Sequence, residues 1–91
     1  MIKSFRDRDT ARVFEGKSVR KFQSFQRVAR RRLFQLAAAT ALLDLKGAAF
    51  SLEKLKGDRR GQHSIRINDQ WRVCFVWKDD NAHNVEITDY H

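Results

Sequence analysis

The sequence predicts a single small α+β domain spanning residues 1–91, in which two or three N-terminal helices pack on an antiparallel, mainly meander sheet of about five strands. Two patterns and the chain length lead to this class. Apolar residues recur at helical spacing in the first half, whereas apolar and polar residues alternate in the second half. Ninety-one residues are enough to bury one modest core. No proline, repeat or low-complexity run marks a linker.

The N-terminal half is expected to hold one strand followed by helices. Met1 to Phe5 alternates as a short strand, and a brief helical turn after it ends at Gly16. The principal helix is predicted to begin near Ser24, and a second short helical segment covers Thr40 to Leu45. The apolar stripe expected to face the sheet consists of Phe22, Phe25, Ala29, Leu33, Leu36 and Thr40.

The C-terminal half is expected to supply the meander. Short connections between consecutive strands make neighbours antiparallel, and Asn68-Asp69 offers a two-residue hairpin turn. The predicted strands are Ser51 to Leu55, His63 to Ile67, Trp71 to Trp77 and Val85 to Thr88. The Met1 to Phe5 strand joins the same sheet and brings the count to five.

The positive charge of the chain is concentrated near one end. The net charge is +8, and residues 1–32 hold eleven Lys and Arg against three Asp and Glu, so the rest of the chain is balanced. Such a surface suits a polyanion, because each neutralised phosphate releases counterions, although a charged run also keeps a face solvated. The expected RNA or ribosome contacts are Arg20, Lys21, Arg27, Arg30 and Arg31, together called the basic ridge, and also Arg59 and Arg60.

Cysteine, histidine and apolar content exclude several other classes of protein. Cys74 is the only cysteine, so the chain forms no internal disulfide, and it is expected to be a small buried hydrophobe. His63, His83 and His91 lack the spacing of metal ligands, and we expect neither a metal nor a cofactor. No apolar stretch of about 20 residues and no signal peptide is evident, so we expect a cytoplasmic protein that does not bind membranes.

Five polar residues on and beside the predicted meander offer acid, base and phosphate-binding chemistry. An ammonium, a guanidinium, a carboxylate, a phenol and an imidazole gathered on one sheet can hold a phosphate and move protons beside it. These residues are Lys56, Arg72, Asp89, Tyr90 and His91.

The same stretches resemble a known family. LKGDRRG, INDQWRVCF and the terminal ITDYH, in this order and after an MIKSF-type start, are similar to the HigB toxins of the RelE/ParE superfamily. The resemblance implies a RelE/ParE-like fold and a ribosome-dependent endoribonuclease that cuts mRNA. It also implies a helix-turn-helix antitoxin of the HigA type as partner, and contact with operator DNA only through that antitoxin.

The resemblance also implies which residues form the site. Members of the family use positions that match Lys56, Arg72, Asp89, Tyr90 and His91. Some place a histidine where this chain has Glu53, so either Glu53 or His91 is the general base. Cleavage without a metal requires the 2′-OH to lose a proton, the phosphorane to be neutralised and the 5′-oxygen to gain a proton.

Other interpretations of the same residues remain open at this point. The chain is alternatively a non-enzymatic, ParE-like inhibitor of DNA gyrase, or a small nucleic-acid-binding module. Arg72 alternatively forms a plain cross-strand ion pair with Glu86. Strict alternation places Asp89 and His91 on one face of the last strand, and Tyr90 on the other face with Glu86.

Overall fold

The fold is built on a four-stranded antiparallel sheet. The computed structural model describes residues 1–90 of the chain. Its strands lie side by side in the order in which they occur along the chain, as the meander predicts. They are β1 (Glu53–Lys54), β2 (His63–Arg66), β3 (Arg72–Lys78) and β4 (Asn81–Thr88).

Two α-helices precede the sheet. Helix α1 (Arg8–Phe14) begins at Asp7, whose carboxylate accepts a hydrogen bond from the backbone N–H of Thr10 at 2.9 Å. The chain leaves this helix at Gly16, where φ is +85° and glycine avoids a steric penalty. Helix α2 (Gln26–Ala38) is the predicted principal helix. Short 3₁₀ turns cover Arg20–Phe22, Leu42–Leu45 and Gly57–Arg59.

The predicted N-terminal strand is wrong, and the sheet has four strands rather than about five. The first residues run parallel to β4, but they meet it only at two isolated bridges, Ile2 with Ala82 and Phe5 with Val85. Between these bridges Asn84 adopts φ +51° and its N–H binds the Ser4 hydroxyl at 2.9 Å. This residue is a bulge in β4, and it interrupts the ladder that a fifth strand needs.

The turns of the meander differ in detail from those expected. The Asn68-Asp69 turn is longer than two residues, because the Ile67 N–H binds the Trp71 carbonyl at 3.0 Å. The Asn68 side chain closes it by accepting the backbone N–H groups of Gln70 and Trp71. The next connection is tight: Asp79 and Asp80, with φ of +53° and +60°, join β3 directly to β4.

The core lies between the helices and one face of the sheet. Trp71 closes one end of it, with its ring 5.6 Å from that of Phe22 and 5.1 Å from that of Phe25. Helix α1 is tied to β4 by Thr10, whose buried hydroxyl accepts the Ile87 N–H at 3.0 Å. The fully buried side chains of this core include Val13, Phe22, Leu33, Leu36, Leu45, Ile65, Val73, Phe75 and Val85. The opposite face of the sheet is left for polar residues.

Candidate active site on the face opposite the helices

A row of side chains crosses all four strands on the face that the helices do not cover. The strand register aligns Glu53 with Ser64, Ser64 with Cys74, and Cys74 with Glu86. Alternation places these residues on the face opposite the apolar core residues Ile65 and Val73.

Arg72 lies on the same face at the start of β3 and is almost completely buried, with 8% of its surface exposed. Its Nε donates to the Ser64 hydroxyl at 2.7 Å, and its Nη2 donates to the carbonyl oxygen of Ser51 and to that of Ser64. Its Nη1 lies 3.3 Å from the Glu53 carboxylate. The guanidinium is therefore held in one orientation by partners on all three nitrogens.

Tyr90 brings its phenol to the same place. Its hydroxyl lies 3.0 Å from the Ser64 hydroxyl and 3.3 Å from Glu53 Oε1, and the Arg59 guanidinium sits 5.7 Å from the ring centroid. Burial raises the pKa of Tyr90, while the Ser64 hydrogen bond and the charge of Arg72 act in the opposite direction. The phenol is accordingly protonated at neutral pH.

The predicted alternative partner of Arg72 is wrong. Glu86 lies 3.1 Å from Arg59 and 3.6 Å from Arg6, while Arg72 is paired with Glu53. The register explains this result, because Glu86 is opposite Cys74 and Thr88 is opposite Arg72. Arg59, expected as an RNA contact, is thus engaged in an ion pair within the fold.

Three expected site residues remain, and these are Lys56, Asp89 and His91. Lys56 is exposed at the turn after β1, where it lines a cavity of about 300 Å³ with Arg60. Asp89 accepts a hydrogen bond from Gln70 Nε2 at 2.9 Å and lines a different cavity, beside Trp71. The structure therefore joins Glu53 directly to Arg72 and to Tyr90, and it puts Lys56 and Asp89 at two separate cavities. His91 lies outside the described residues.

The basic ridge is divided into two parts. Arg27, Arg30 and Arg31 line one cavity of about 430 Å³ on helix α2 with Phe34, and the Arg30 guanidinium stacks 4.6 Å from the Phe34 ring. Arg20 and Lys21 lie on the preceding 3₁₀ turn, where Lys21 is 3.3 Å from Asp9. Within the helical part, Arg30 also donates to the Phe14 carbonyl at 3.4 Å, whereas Arg27 and Arg31 are exposed.

Sequence reasoning missed two residues of the site, Ser64 and Cys74. Both are buried on the polar face, where Ser64 binds Arg72 and Tyr90 directly. The signal for them was present, since alternation from Ile65 and Val73 places them on the face of Arg72. Burial raises the pKa of Cys74 to about 11, with Arg59 acting in the opposite direction, so the thiol is neutral.

The buried thiol predicts a loss of stability at high pH. Its ordinary pKa of 9.0 applies to the unfolded chain, and the folded value is about 11. Above pH 9 the unfolded state therefore holds fewer protons than the folded state, and the free energy of unfolding falls as the pH rises towards 11. The raised pKa of Tyr90 acts with the same sign.

Cys74→Ala should reduce this decline by up to about 2 to 3 kcal/mol. Urea unfolding of the two proteins across this pH range measures it, and the comparison uses the slopes because the alanine lowers stability at every pH. Equal slopes in the two proteins would contradict the buried, neutral thiol.

Two further properties concern metal ligands and helix length. Within residues 1–90, no three His, Cys, Asp or Glu side chains are grouped so that they could share a metal ion. No helix in that part of the chain is long and apolar enough to cross a membrane.

Comparison with known proteins decides the family. The family model that describes HigB, the RelE-like toxin of type II toxin-antitoxin systems, matches residues 3–91 of this chain. The chain belongs to this family. The resemblance noted in LKGDRRG, INDQWRVCF and ITDYH is therefore confirmed.

Individual relatives agree with this assignment. Endoribonuclease HigB of Proteus vulgaris is 36% identical over 93 residues, and the alignment covers all of both chains. Two structures of the YoeB-YefM toxin-antitoxin complex from Staphylococcus aureus share the fold of this toxin, each with a TM-score of 0.63. Each alignment covers 100% of this chain and 98% of the other at 18% identity, so it supports the fold alone.

Proposed function

We propose that this HigB-like toxin is a metal-independent endoribonuclease that cuts mRNA on the ribosome, in the cytoplasm. The observation that carries the proposal is the Arg72 guanidinium, buried and fixed beside the Tyr90 phenol. The positive charge of the guanidinium can stabilise a phosphate, and a protonated phenol can supply a proton beside it. The similarity of this chain to Endoribonuclease HigB of Proteus vulgaris supports the same activity.

The proposed reaction begins with attack of the 2′-OH on the adjacent phosphate. Arg72 stabilises the negative charge of the phosphorane, and Tyr90 protonates the departing 5′-oxygen. Either Glu53 or His91 removes the proton from the 2′-OH. Glu53 is the one within the described residues, and its Oε1 lies 3.3 Å from both Arg72 Nη1 and Tyr90 Oη.

Surrounding residues extend the site. Lys56 and Arg60, exposed around one cavity, are placed to contact phosphates that flank the one being cut. Asp89, which precedes Tyr90 in the chain, is assigned a positioning role through its contact with Gln70. Arg59 lies against the ring of Tyr90, 5.7 Å from its centroid, and supports the position of that ring.

The partner that restrains this activity is a protein antitoxin. The family is defined by type II toxin-antitoxin systems, and both structural neighbours are complexes of a toxin with its antitoxin. We assign the helix-turn-helix, HigA-type class to this partner, and operator DNA is reached only through it.

A substrate that lacks one 2′-OH tests the chemistry. A message with a 2′-deoxy nucleotide at the cleavage site should not be cut by the toxin on translating ribosomes, because the nucleophile is missing. The normal upstream product should carry a 2′,3′-cyclic phosphate or a 3′-phosphate, and cutting should persist with EDTA at levels that leave ribosomes intact. Undiminished cutting of the deoxy substrate would reject this mechanism, and binding without cutting of any message would favour a nucleic-acid-binding module.

The helical part of the basic ridge should bind ribosomal RNA. Replacing Arg27, Arg30 and Arg31 with glutamine should weaken ribosome binding and flatten its dependence on salt. The slope of log K against log salt should fall by about 0.7 to 0.9 for each phosphate that the variant no longer neutralises. Sedimentation with ribosomes at several salt concentrations measures both effects.

A control variant separates direct binding from net charge. Arg8, Arg12 and Lys17 are exposed on a different surface, and replacing them removes the same number of positive charges, three. If both triple variants lose the same amount of binding, the ridge is a solvated face and the effect is one of net charge.

A further inference from the structure

Ser64 is the buried hydroxyl that joins the two functional groups of the proposed site. Its side chain is completely buried, and it lies on β2 opposite Glu53 on one side and Cys74 on the other. Its Oγ is 2.7 Å from Arg72 Nε and 3.0 Å from Tyr90 Oη. These two contacts make Ser64 the link between guanidinium and phenol.

The direction of every hydrogen bond in this group follows from the chemistry of its ends. Arg72 Nε is only a donor, so the Ser64 oxygen accepts from it. The Glu53 carboxylate is only an acceptor, so Tyr90 donates to it. The bond between the two hydroxyls then has one consistent assignment, in which Ser64 donates its hydrogen to Tyr90.

The bonds form a closed ring. It runs from Arg72 to Ser64, from Ser64 to Tyr90 and from Tyr90 to Glu53, and the ion pair of Glu53 with Arg72 Nη1 at 3.3 Å completes it. Arg72 donates at both of its ends and Glu53 accepts at both of its ends, so the three bonds from Arg72 through Ser64 and Tyr90 to Glu53 form one chain with a single direction, and the ion pair joins the two ends of that chain. Hydrogen bonds that follow one another in a chain polarise one another.

We infer that Ser64 is a positioning residue of the cleavage site, which accepts from Arg72 and donates to Tyr90 and thereby fixes the phenol for proton transfer. The inference rests on the proposed function. When Tyr90 gives its proton to the 5′-oxygen, its O–H bond breaks and the oxygen becomes a phenolate. The Ser64 hydroxyl, whose Oγ lies 3.0 Å from that oxygen and already donates to it, then stabilises the new negative charge.

A purely structural role for Ser64 makes a different prediction. If the hydroxyl only satisfied the buried Arg72 Nε, its removal would lower stability without changing the acidity of Tyr90. If Ser64 donates to Tyr90, its removal must make the phenol harder to ionise. The acidity of Tyr90 therefore distinguishes the two roles without any substrate.

The composition of the chain makes that acidity measurable, because Tyr90 is the only tyrosine. Incorporation of 3-fluorotyrosine, a more acidic phenol, gives a single ¹⁹F signal that titrates at milder pH. Ser64→Ala should shift the midpoint upwards, and Glu53→Gln should shift it downwards by removing a negative charge. Ser64→Thr, which keeps the hydroxyl, should stay near the wild-type midpoint, and Ser24→Ala at an exposed turn is the matched control.

Cleavage supplies the second readout. Ser64→Ala should lower kcat by roughly tenfold to a hundredfold with little change in KM, and Ser64→Thr should restore most of it. If Ser64→Ala does not fold, Ser64→Cys keeps the volume with a weaker donor and should shift the midpoint in the same upward direction.

An unchanged or lowered midpoint in folded Ser64→Ala, or in Ser64→Cys where the alanine variant does not fold, would overturn the inference. A wild-type protein that cuts no message would overturn the proposed function instead. The two failures are distinguishable, since the titration is performed without RNA.

Discussion

Replacing Arg72 with alanine is expected to lower the rate of message cleavage by about 10²- to 10³-fold, the usual effect of removing one preorganised group that stabilises developing charge. The guanidinium is fixed before substrate arrives, because Ser64, Ser51 and Glu53 already hold its three nitrogens. The loss should appear in kcat, since the charge that Arg72 meets is largest in the phosphorane. Single-turnover cleavage on programmed ribosomes measures it.

Two further variants make the Arg72 experiment specific. Arg72→Lys keeps the charge but not the planar set of donors, so it should recover only part of the rate. Arg66→Ala is the matched control, because Arg66 lies directly opposite Arg72 on β2 but is more exposed and is paired with Asp69. Wild-type activity in Arg72→Ala, or an equal loss in Arg66→Ala, would remove Arg72 from the mechanism.

Stability must be followed in the same experiment. Arg72→Ala leaves the buried Ser64 hydroxyl without its donor, which costs roughly 1 to 3 kcal/mol. The rates should therefore be compared well below the thermal midpoint of the variant.

The Tyr90→Phe variant should cut about 10²- to 10⁴-fold more slowly, the range expected for loss of a general acid. The substitution is confined to one oxygen atom, because the phenylalanine ring can keep its place beside Arg59. It removes the group that lies between Ser64 and Glu53, and so it interrupts the ring of hydrogen bonds.

A modified leaving group identifies the step. If the 5′-oxygen at the cleavage site is replaced with sulfur, the leaving thiolate needs no proton, and Tyr90→Phe should cut this substrate nearly as fast as the wild type. The Arg59→Gln variant, which keeps the Tyr90 hydroxyl, should show no such selective recovery of its cleavage rate on the sulfur-containing substrate. A slow Tyr90→Phe variant on both substrates would mean that Tyr90 positions RNA rather than donating a proton.

Local sequence patterns predict the faces of the sheet but not the partners on them. Period-two alternation predicts that Arg72, between Trp71 and Val73, lies on the face opposite the apolar core, and the structure has it there. Its partner Glu53 was assigned only as a candidate base, because β1 is a pair of exposed residues with almost no pattern of its own. Pairing depends on the register of β1 with β2, which is set by the whole fold and not by either segment alone.

The errors in the fold have a similar origin. The sequence shows Met1 to Phe5 as a strand because side-chain alternation is independent of what the backbone bonds to. A continuous ladder of backbone hydrogen bonds also depends on the partner strand β4. The positive φ of Asn84 interrupts the edge of β4 that faces these residues. Asn68 likewise predicts where the turn lies but not how long it is. The turn is longer than two residues because the Asn68 side chain binds two backbone N–H groups further along the chain.

The arrangement of the outer strands has a consequence for the toxin when it is free of its antitoxin. The edge at β4 is occupied by the N-terminal residues and by Thr10, and the edge at β1 is two charged residues long. Within residues 1–90 neither border offers a long row of open backbone groups to a second chain. Long open borders are what template aggregation of sheet proteins, and this part of the chain lacks that template.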